Sequence, residues 1–107
     1  MQNDEDGYGL AAIINRKLLG GIGLYIKSKT DTLPYISEWK MLGDVDYVTG
    51  IEPCNVPCQN RTLLRDQNRM QFIKPGETKE MEVEIGILDG CAEIDAFRSK
   101  IDALKKA

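Results

Sequence analysis

The sequence predicts a mainly β fold: an antiparallel β-sandwich that ends in one amphipathic helix. Three observations lead to this prediction. Short stretches that alternate apolar and polar residues recur along most of the 107 residues, turn-forming Gly, Pro and Asp residues separate them, and only the last stretch has a helical period. A chain of this length has room for one domain with one modest hydrophobic core.

The first two strands follow a polar start. Residues 1–6 (MQNDED) offer nothing to bury, so we expect a disordered N-terminus and then a single domain over residues 7–107. Apolar and β-branched residues fill the stretch from Tyr8 to Asn15, which predicts a strand. After a Gly-Gly pair, Ile22 to Lys27 (IGLYIK) alternates aliphatic residues with Gly, Tyr and Lys, which predicts a half-buried strand.

Two further strands flank a Gly-Asp turn. Tyr35 to Leu42 has a mixed composition on both faces, which indicates a strand with one side on a core and the other on a cleft or second layer. Tyr47 to Glu52 (YVTGIE) also alternates, and its second face carries small residues before it ends in a carboxylate. Gly50 on that face indicates either the close packing of another group or a bulge or bend.

The middle of the chain has little regular pattern. Residues 53–68 contain two prolines and several Asn and Gln residues without a period, which predicts a long ordered loop. Residues 70–73 are a candidate for a short strand, and the Lys-Pro-Gly-Glu sequence that follows predicts a type II turn. Loops of this length are often functional.

The most regular strand and the helix come last. Lys79 to Leu88 (KEMEVEIGIL) alternates strictly, so we expect its aliphatic residues to face the core and its glutamates to face water. The inward set is Met81, Val83, Ile85 and Ile87. From Cys91 to Lys106, apolar residues recur on one helical stripe and the charges suit the helix dipole, which predicts a helix over about 91–106. The stripe consists of Ile94, Phe97, Ile101 and Leu104.

The composition argues against several partners and cofactors. The 14 basic and 17 acidic residues give a net charge of −3 without a basic stripe, so we expect no nucleic acid partner. No apolar run approaches the roughly 18 residues of a membrane span, so we expect no membrane. No export signal is visible, which predicts a cytoplasmic protein with three reduced cysteines. Because histidine is absent and thiolate ligands are too few, we expect no metal and no cofactor.

The stretch from Trp39 to Asn55 holds the candidate chemistry. Glu52 lies where a strand gives way to a loop, which is a good position for a reactive carboxylate. Trp39, Lys40 and Asn55 are residue types that stack on, or hydrogen-bond to, a polar ring such as a sugar, and Arg61 on the long loop is a further donor. Each has a structural alternative. In these alternatives Glu52 only faces water or pairs with a loop arginine, and Trp39 is part of the core. Lys40 would form a surface salt bridge, and Asn55 and Arg61 would hydrogen-bond to the backbone or to water.

Three segments of this chain, taken in order, carry a family resemblance: LPYISEWKMLG, YVTGIEPCN and IKPGETKEMEVEIGILDG. Together they resemble the C-terminal part of a bacterial aldose 1-epimerase-like family in the galactose mutarotase superfamily. The resemblance covers about residues 7–97. It implies a β-sandwich of the supersandwich type, a cleft for an aldohexose or a derivative, and a catalytic carboxylate at Glu52.

The resemblance also implies a reaction, and one of the two groups that this reaction needs is absent from the chain. In mutarotation a base removes the proton of the anomeric hydroxyl while an acid protonates the ring oxygen. Glu52 would be the base, but the acid of the superfamily is typically a histidine, and this chain has none. The family's proteins are also longer, so we expect a C-terminal portion that is inactive alone. The alternative is a β-sandwich binding or assembly module that has lost the reaction.

Assembly is the last expectation from the sequence. A portion of a larger sandwich would expose apolar side chains and an unpaired sheet edge on mixed-face strands such as Tyr35 to Leu42. We therefore expect a homo-oligomer, most simply a two-fold dimer.

Overall fold

The computed structural model describes residues 2–106 of the chain, and within them lie five strands and two α-helices. The strands are β1 (Tyr8–Asn15), β2 (Ile22–Lys29), β3 (Tyr35–Leu42), β4 (Tyr47–Cys54) and β5 (Val83–Asp89). The helices are α1 (Arg61–Asp66) and α2 (Cys91–Lys106), and a short 3-10 turn at Leu18–Gly20 joins β1 to β2. The prediction of a mainly antiparallel β chain with a C-terminal helix is confirmed.

The strands form two separate antiparallel sheets. The first has three strands in the order β1-β2-β5, and the second is the hairpin of β3 and β4. In the first sheet Ile13 pairs with Leu24, and Leu24 pairs in turn with Ile87. Both sheets are open rather than closed into a barrel. The sheet order therefore brings the last strand against the second one, across the 53 residues (30–82) that separate them in the chain.

Helix α2 covers one face of the three-stranded sheet. Ile94 of the helix is fully buried, and its Cδ1 atom lies near Gly21 at the start of β2. The ring of Phe97 packs on Tyr25, with 5.2 Å between the ring centroids. Ile101 and Leu104 are half-buried. The predicted apolar stripe of this helix is confirmed, and it forms the core together with the sheet.

Gly86 allows an aromatic ring to lie flat on the sheet. A Cβ atom at Gly86 would lie 2.4 Å from the ring of Tyr25, its partner in the register, so only glycine leaves room for that ring. The Tyr25 hydroxyl donates a hydrogen bond of 2.8 Å to Glu84 on the same face. This hydrogen bond to a carboxylate raises the pKa of Tyr25.

The opposite face of the sheet is where one prediction was wrong. Val83, Ile85 and Ile87 lie on the face away from α2 and remain 43%, 65% and 65% exposed, instead of facing the core. The buried residue of β5 is Leu88, on the helix side, where Glu84 and Gly86 also lie. The alternation correctly separated two faces, but alternation does not determine which face the helix covers.

The segment between β4 and β5 also differs from its prediction. Residues 70–73 form no strand, and β5 begins at Val83 rather than near residue 79. The predicted loop instead contains α1, whose N-cap residue Asn60 accepts a hydrogen bond of 2.8 Å from the backbone of Thr62. Leu64 anchors this helix, because only 3% of the residue is exposed.

The N-terminal segment contacts the fold through Asp4. Residues 2–6 form no strand or helix, and Met1, like Ala107, lies outside the described range. The Asp4 carboxylate is buried, accepts a hydrogen bond of 2.8 Å from the backbone N–H of Tyr8, and lies 3.2 Å from the Lys100 ammonium of α2. The sequence predicted disorder for this segment, and in the structure Asp4 is the point at which it joins the sheet and the helix.

Candidate functional site

The β3–β4 hairpin determines which candidate residues share a surface. In its register Ser37 pairs with Glu52, and Trp39 pairs with Gly50. Because side chains alternate along a strand, these four residues all lie on one face of the hairpin, which we call the Trp39 face. The hairpin turn is closed by a hydrogen bond of 3.0 Å from Gly43 N to the Asp46 carbonyl. The turn therefore fixes the register that places Glu52 on the same face as Trp39.

Gly50 gives the Glu52 carboxylate room to extend across the strand. A Cβ atom at Gly50 would lie 3.0 Å from Glu52 Oε1, so the side chain of Glu52 extends over the glycine that faces Trp39. The strand is regular on both sides of this point. Of the two explanations for Gly50 that the sequence left open, the structure agrees with the close packing of another group.

Glu52 and Trp39 are both accessible. Glu52 is exposed, and among residues 2–106 no ion pair within 4.0 Å includes it, so the predicted alternative of a loop arginine is not observed. Trp39 is 50% exposed and therefore does not belong to the core. The Trp39 face thus presents an open indole ring beside a carboxylate without a cationic partner.

Lys40 lies on the other face of the hairpin. Its Nζ atom is 3.2 Å from Glu38 Oε1, and both side chains are about half exposed. Glu38 also lies within 3.5 Å of the Thr49 hydroxyl, which donates a hydrogen bond of 3.0 Å to the Trp39 carbonyl. Such an exposed ion pair contributes little to stability. The structure therefore separates Lys40 from Glu52 and gives it the surface salt bridge that the sequence offered as an alternative.

The two loop candidates lie beyond the end of β4. Asn55 follows the strand directly and is half-buried, whereas Arg61 is the exposed first residue of α1. Neither donates a hydrogen bond to Glu52 within the described part of the chain. Of the five predicted site residues, the structure brings Trp39 and Glu52 together on one face.

A hydroxyl and a thiol of this face, those of Ser37 and Cys54, were missed by the sequence analysis. Ser37 lies directly across from Glu52, and its hydroxyl is 3.5 Å from the Cys54 thiol. Both residues are half-buried. Counting the register outward from the Gly-Asp turn would have found them, since residues that alternate in step with Trp39 and Glu52 must share their face.

A second polar cluster lies beside the first sheet, away from the candidate residues. A cavity of about 540 Å³ is lined by Lys29, Asp31, Thr32, Glu80, Met81 and Glu82. The Tyr8 hydroxyl donates to Glu82, and this hydrogen bond raises the pKa of Tyr8 to about 12. The Lys29 ammonium lies 4.2 Å from the centre of the Tyr8 ring. These contacts explain the polar residues beside the cavity by a surface hydrogen bond and a cation–π contact.

Residues 2–106 contain neither a cluster of metal ligands nor a helix that could span a membrane. No group of three or more His, Cys, Asp or Glu residues in that range could hold a metal ion. None of the helices there is both long enough and apolar enough to cross a membrane. The thiols of Cys54, Cys58 and Cys91 are free.

Comparison with family models identifies the family of this chain. The model of a family described as a domain of unknown function, DUF4432, matches residues 1–87. Searches of the curated proteins and of the solved structures found no match. The matched residues include both sheets as far as Ile87 and the entire β3–β4 hairpin.

Proposed function

We propose that the Trp39 face of the hairpin binds a sugar and that the Glu52 carboxylate acts as the base. The chain belongs to the DUF4432 family of domains of unknown function. The function would be that of the carbohydrate-binding C-terminal portion of an aldose 1-epimerase-like protein. One observation supports this proposal above all others: Glu52 extends over Gly50 on the face that also carries the exposed Trp39.

The chemistry suits these two side chains. An indole ring offers a flat apolar surface for the C–H face of an aldohexose, and a carboxylate accepts hydrogen bonds from its hydroxyl groups. As a base, Glu52 would remove the proton from the anomeric hydroxyl. The ring opens when an acid protonates the ring oxygen, the C1–C2 bond rotates, and closure gives the other anomer. Glu52 is free for this role because it forms no ion pair within residues 2–106.

The acid of this reaction is missing from the chain. No histidine is present, and Lys40 lies on the opposite face of the hairpin. Asn55 and Arg61 remain donors for sugar hydroxyl groups, since they follow the strand end at which Glu52 lies. We therefore propose that this chain supplies the sugar contacts and the base, and that it has no measurable mutarotase activity alone.

The same proposal includes a sandwich arrangement of the two sheets. A cavity of about 440 Å³ lies between them, lined by Thr49 of β4 and by apolar residues of the first sheet that include Ile13, Leu24 and Ile87. This position of the hairpin supports a second layer over that sheet, as in a β-sandwich. Three free thiols support a cytoplasmic location, where cysteines stay reduced.

Titration with glucose and galactose, followed by NMR, tests sugar binding. We expect the amide signals of Gly50 to Asn55 and the indole N–H signal of Trp39 to shift in a saturable manner. Trp39→Ala and Glu52→Gln should each weaken binding. Lys40→Ala is the matched control because Lys40 is next to Trp39 in sequence but lies on the other face. Sugar-dependent shifts that are equal in the wild type and in Trp39→Ala would refute this site.

The alternative function is a binding or assembly module that keeps the fold and has lost the reaction. It is favoured by the lack of histidine and by further exposed apolar side chains on the Trp39 face, since Met41 and Val48 are 46% and 47% exposed. Polarimetry separates the two functions once the missing N-terminal portion of an epimerase-like protein is supplied. Mutarotation that requires Glu52 supports the first function, and its absence despite sugar binding supports the second.

A further inference from the structure

A second aromatic ring lies on the Trp39 face. Tyr35 is four residues before Trp39 on β3, and because side chains alternate along a strand, the two rings lie on the same face. Both are accessible, since Tyr35 is 37% and Trp39 is 50% exposed. A strand rises about 3.4 Å per residue, so the two side chains are attached about 13–14 Å apart along it. The face therefore has an aromatic ring at each end.

The chain that follows α1 holds the Tyr35 ring in place. The helix ends at Asp66, and Asn68 turns the chain with a left-handed backbone, at a φ of 56°. The N–H of Arg69 then donates a hydrogen bond of 2.8 Å to the carbonyl of Leu64, the buried residue of this helix. From this position the Arg69 guanidinium donates a hydrogen bond of 3.3 Å to the Tyr35 hydroxyl. A ring that is already held at its edge loses little freedom when a ligand stacks on it.

Polar groups lie between the two rings. Ser37 is midway between Tyr35 and Trp39 on β3, and Glu52 is its partner on β4. The Glu52 carboxylate extends over Gly50, the partner of Trp39, so it lies toward the tryptophan end. Sugar units have apolar C–H faces that stack on aromatic rings and hydroxyl groups that hydrogen-bond to hydroxyls and carboxylates. The order of ring, polar pair and ring therefore suits several sugar units in a row.

We propose that the Trp39 face takes a linear oligosaccharide of at least three units, with Tyr35 as its second stacking platform. This inference rests on the proposed function. Each unit adds about 5 Å to an extended glycan, since five bonds of about 1.5 Å, folded into a ring, separate successive anomeric carbons. A span of about 13–14 Å is therefore longer than one or two units. The reducing-end unit, which alone has a free anomeric hydroxyl, lies on Trp39 beside Glu52. The remaining units extend past Ser37 to Tyr35.

Calorimetric titration of the intact chain with glucose and cellotriose, and with galactose and β-1,4-galactotriose, tests the length of the ligand. In one of the two series the trisaccharide should bind at least about fivefold tighter than its monosaccharide, the gain expected from one further stacking contact. Tyr35→Ala should abolish this gain and leave the monosaccharide affinity unchanged. Tyr35→Phe keeps the ring and should keep most of the gain. Tyr47→Ala is the matched control, because Tyr47 is 78% exposed on the other face of the hairpin, and it should bind both sugars like the wild type.

The outcomes separate this inference from the proposed function. Equal affinities for monosaccharide and trisaccharide, or a gain that persists in Tyr35→Ala, would overturn the oligosaccharide and leave sugar binding at Trp39 standing. An absence of binding in both series would overturn the two together. Circular dichroism checks that Tyr35→Ala is folded. If it is not, NMR of the wild type decides the question: the ring signals of Tyr35 must shift with the trisaccharide and must not shift with the monosaccharide.

Discussion

The two faces of the three-stranded sheet are built from the same strands and have opposite environments. On one face Leu88 is 6% exposed and packs beneath a helix whose Ile94 is fully buried. On the other face Ile87, the preceding residue, is 65% exposed. Alternation gives both faces aliphatic residues, but one amphipathic helix covers only one of them. The comparison shows that α2 completes a core layer on one face, whereas on the other face Ile26 is buried and its neighbours Leu24, Ile85 and Ile87 remain exposed.

The largest difference between the faces should appear when an aliphatic side chain is truncated. Ile94→Ala removes a fully buried side chain from the α2 interface and should lower the free energy of unfolding by about 2–5 kcal/mol. Ile87→Ala, the matched change on the open face of a monomer, should cost under about 1 kcal/mol, because most of that side chain already contacts water.

Urea unfolding at a concentration where the chain is monomeric measures both variants. Equal losses for Ile94→Ala and Ile87→Ala would contradict the assignment of a covered and an open face.

A smaller effect is expected from adding one methyl group at each of two glycines. Gly86→Ala places a Cβ atom 2.4 Å from the ring of Tyr25, so the ring must leave its site against Phe97. Overpacking of this kind costs about 1–3 kcal/mol. Gly50→Ala contacts only the flexible end of Glu52 at 3.0 Å and should cost less.

Thermal melting compares the two alanine variants. Gly86→Ala should lower the melting temperature clearly, and Gly50→Ala should lower it little while weakening any sugar binding that depends on the position of Glu52. A larger loss for Gly50→Ala than for Gly86→Ala would contradict the placement of the Tyr25 ring.

Much of the fold could be predicted from local pattern alone. The period of two identified β1 to β4, and the spacing of Ile94, Phe97, Ile101 and Leu104 identified α2, because these signals depend only on neighbouring residues. The covered face could not be predicted in this way, since the strict alternation of β5 fits either orientation. α1 was missed because six residues are too few for a helical period to stand out.

Local sequence pattern also predicted only part of the candidate site. Trp39 was selected from its residue type and Glu52 from its position at a strand end, and the hairpin register brings them onto one face. Lys40 was also selected from its residue type, yet it is adjacent to Trp39, and adjacent residues of a strand point to opposite faces. The extension of Glu52 over Gly50 depends on a side-chain conformation, which residue spacing does not specify.

The smallest effect concerns the N-terminal segment, which contacts the covered side of the fold through the Asp4–Lys100 ion pair. Burial raises the pKa of Asp4, but hydrogen bonds from the backbone of Tyr8 and from Lys100 outweigh it, so the pKa falls below its ordinary value of 3.8. The folded state therefore favours the charged carboxylate. The resulting stabilisation is present above pH 3.8 and is lost as the pH falls through the lower pKa of the folded state.

Asp4→Asn tests this contribution because it keeps the shape of the side chain and removes its charge. The variant should lose roughly 0.5–1.5 kcal/mol of stability at neutral pH, as expected for a hydrogen bond of ordinary strength. The difference from the wild type should shrink as the pH falls below 3.8, because the wild-type carboxyl group then becomes neutral as well. Asp6→Asn is the control, since Asp6 is exposed and should give a loss near zero throughout. Urea unfolding across this pH range would contradict the Asp4 contact if the two variants had the same stability at neutral pH. Such a result would mean that the segment before β1 adds nothing to the covered side of the sheet.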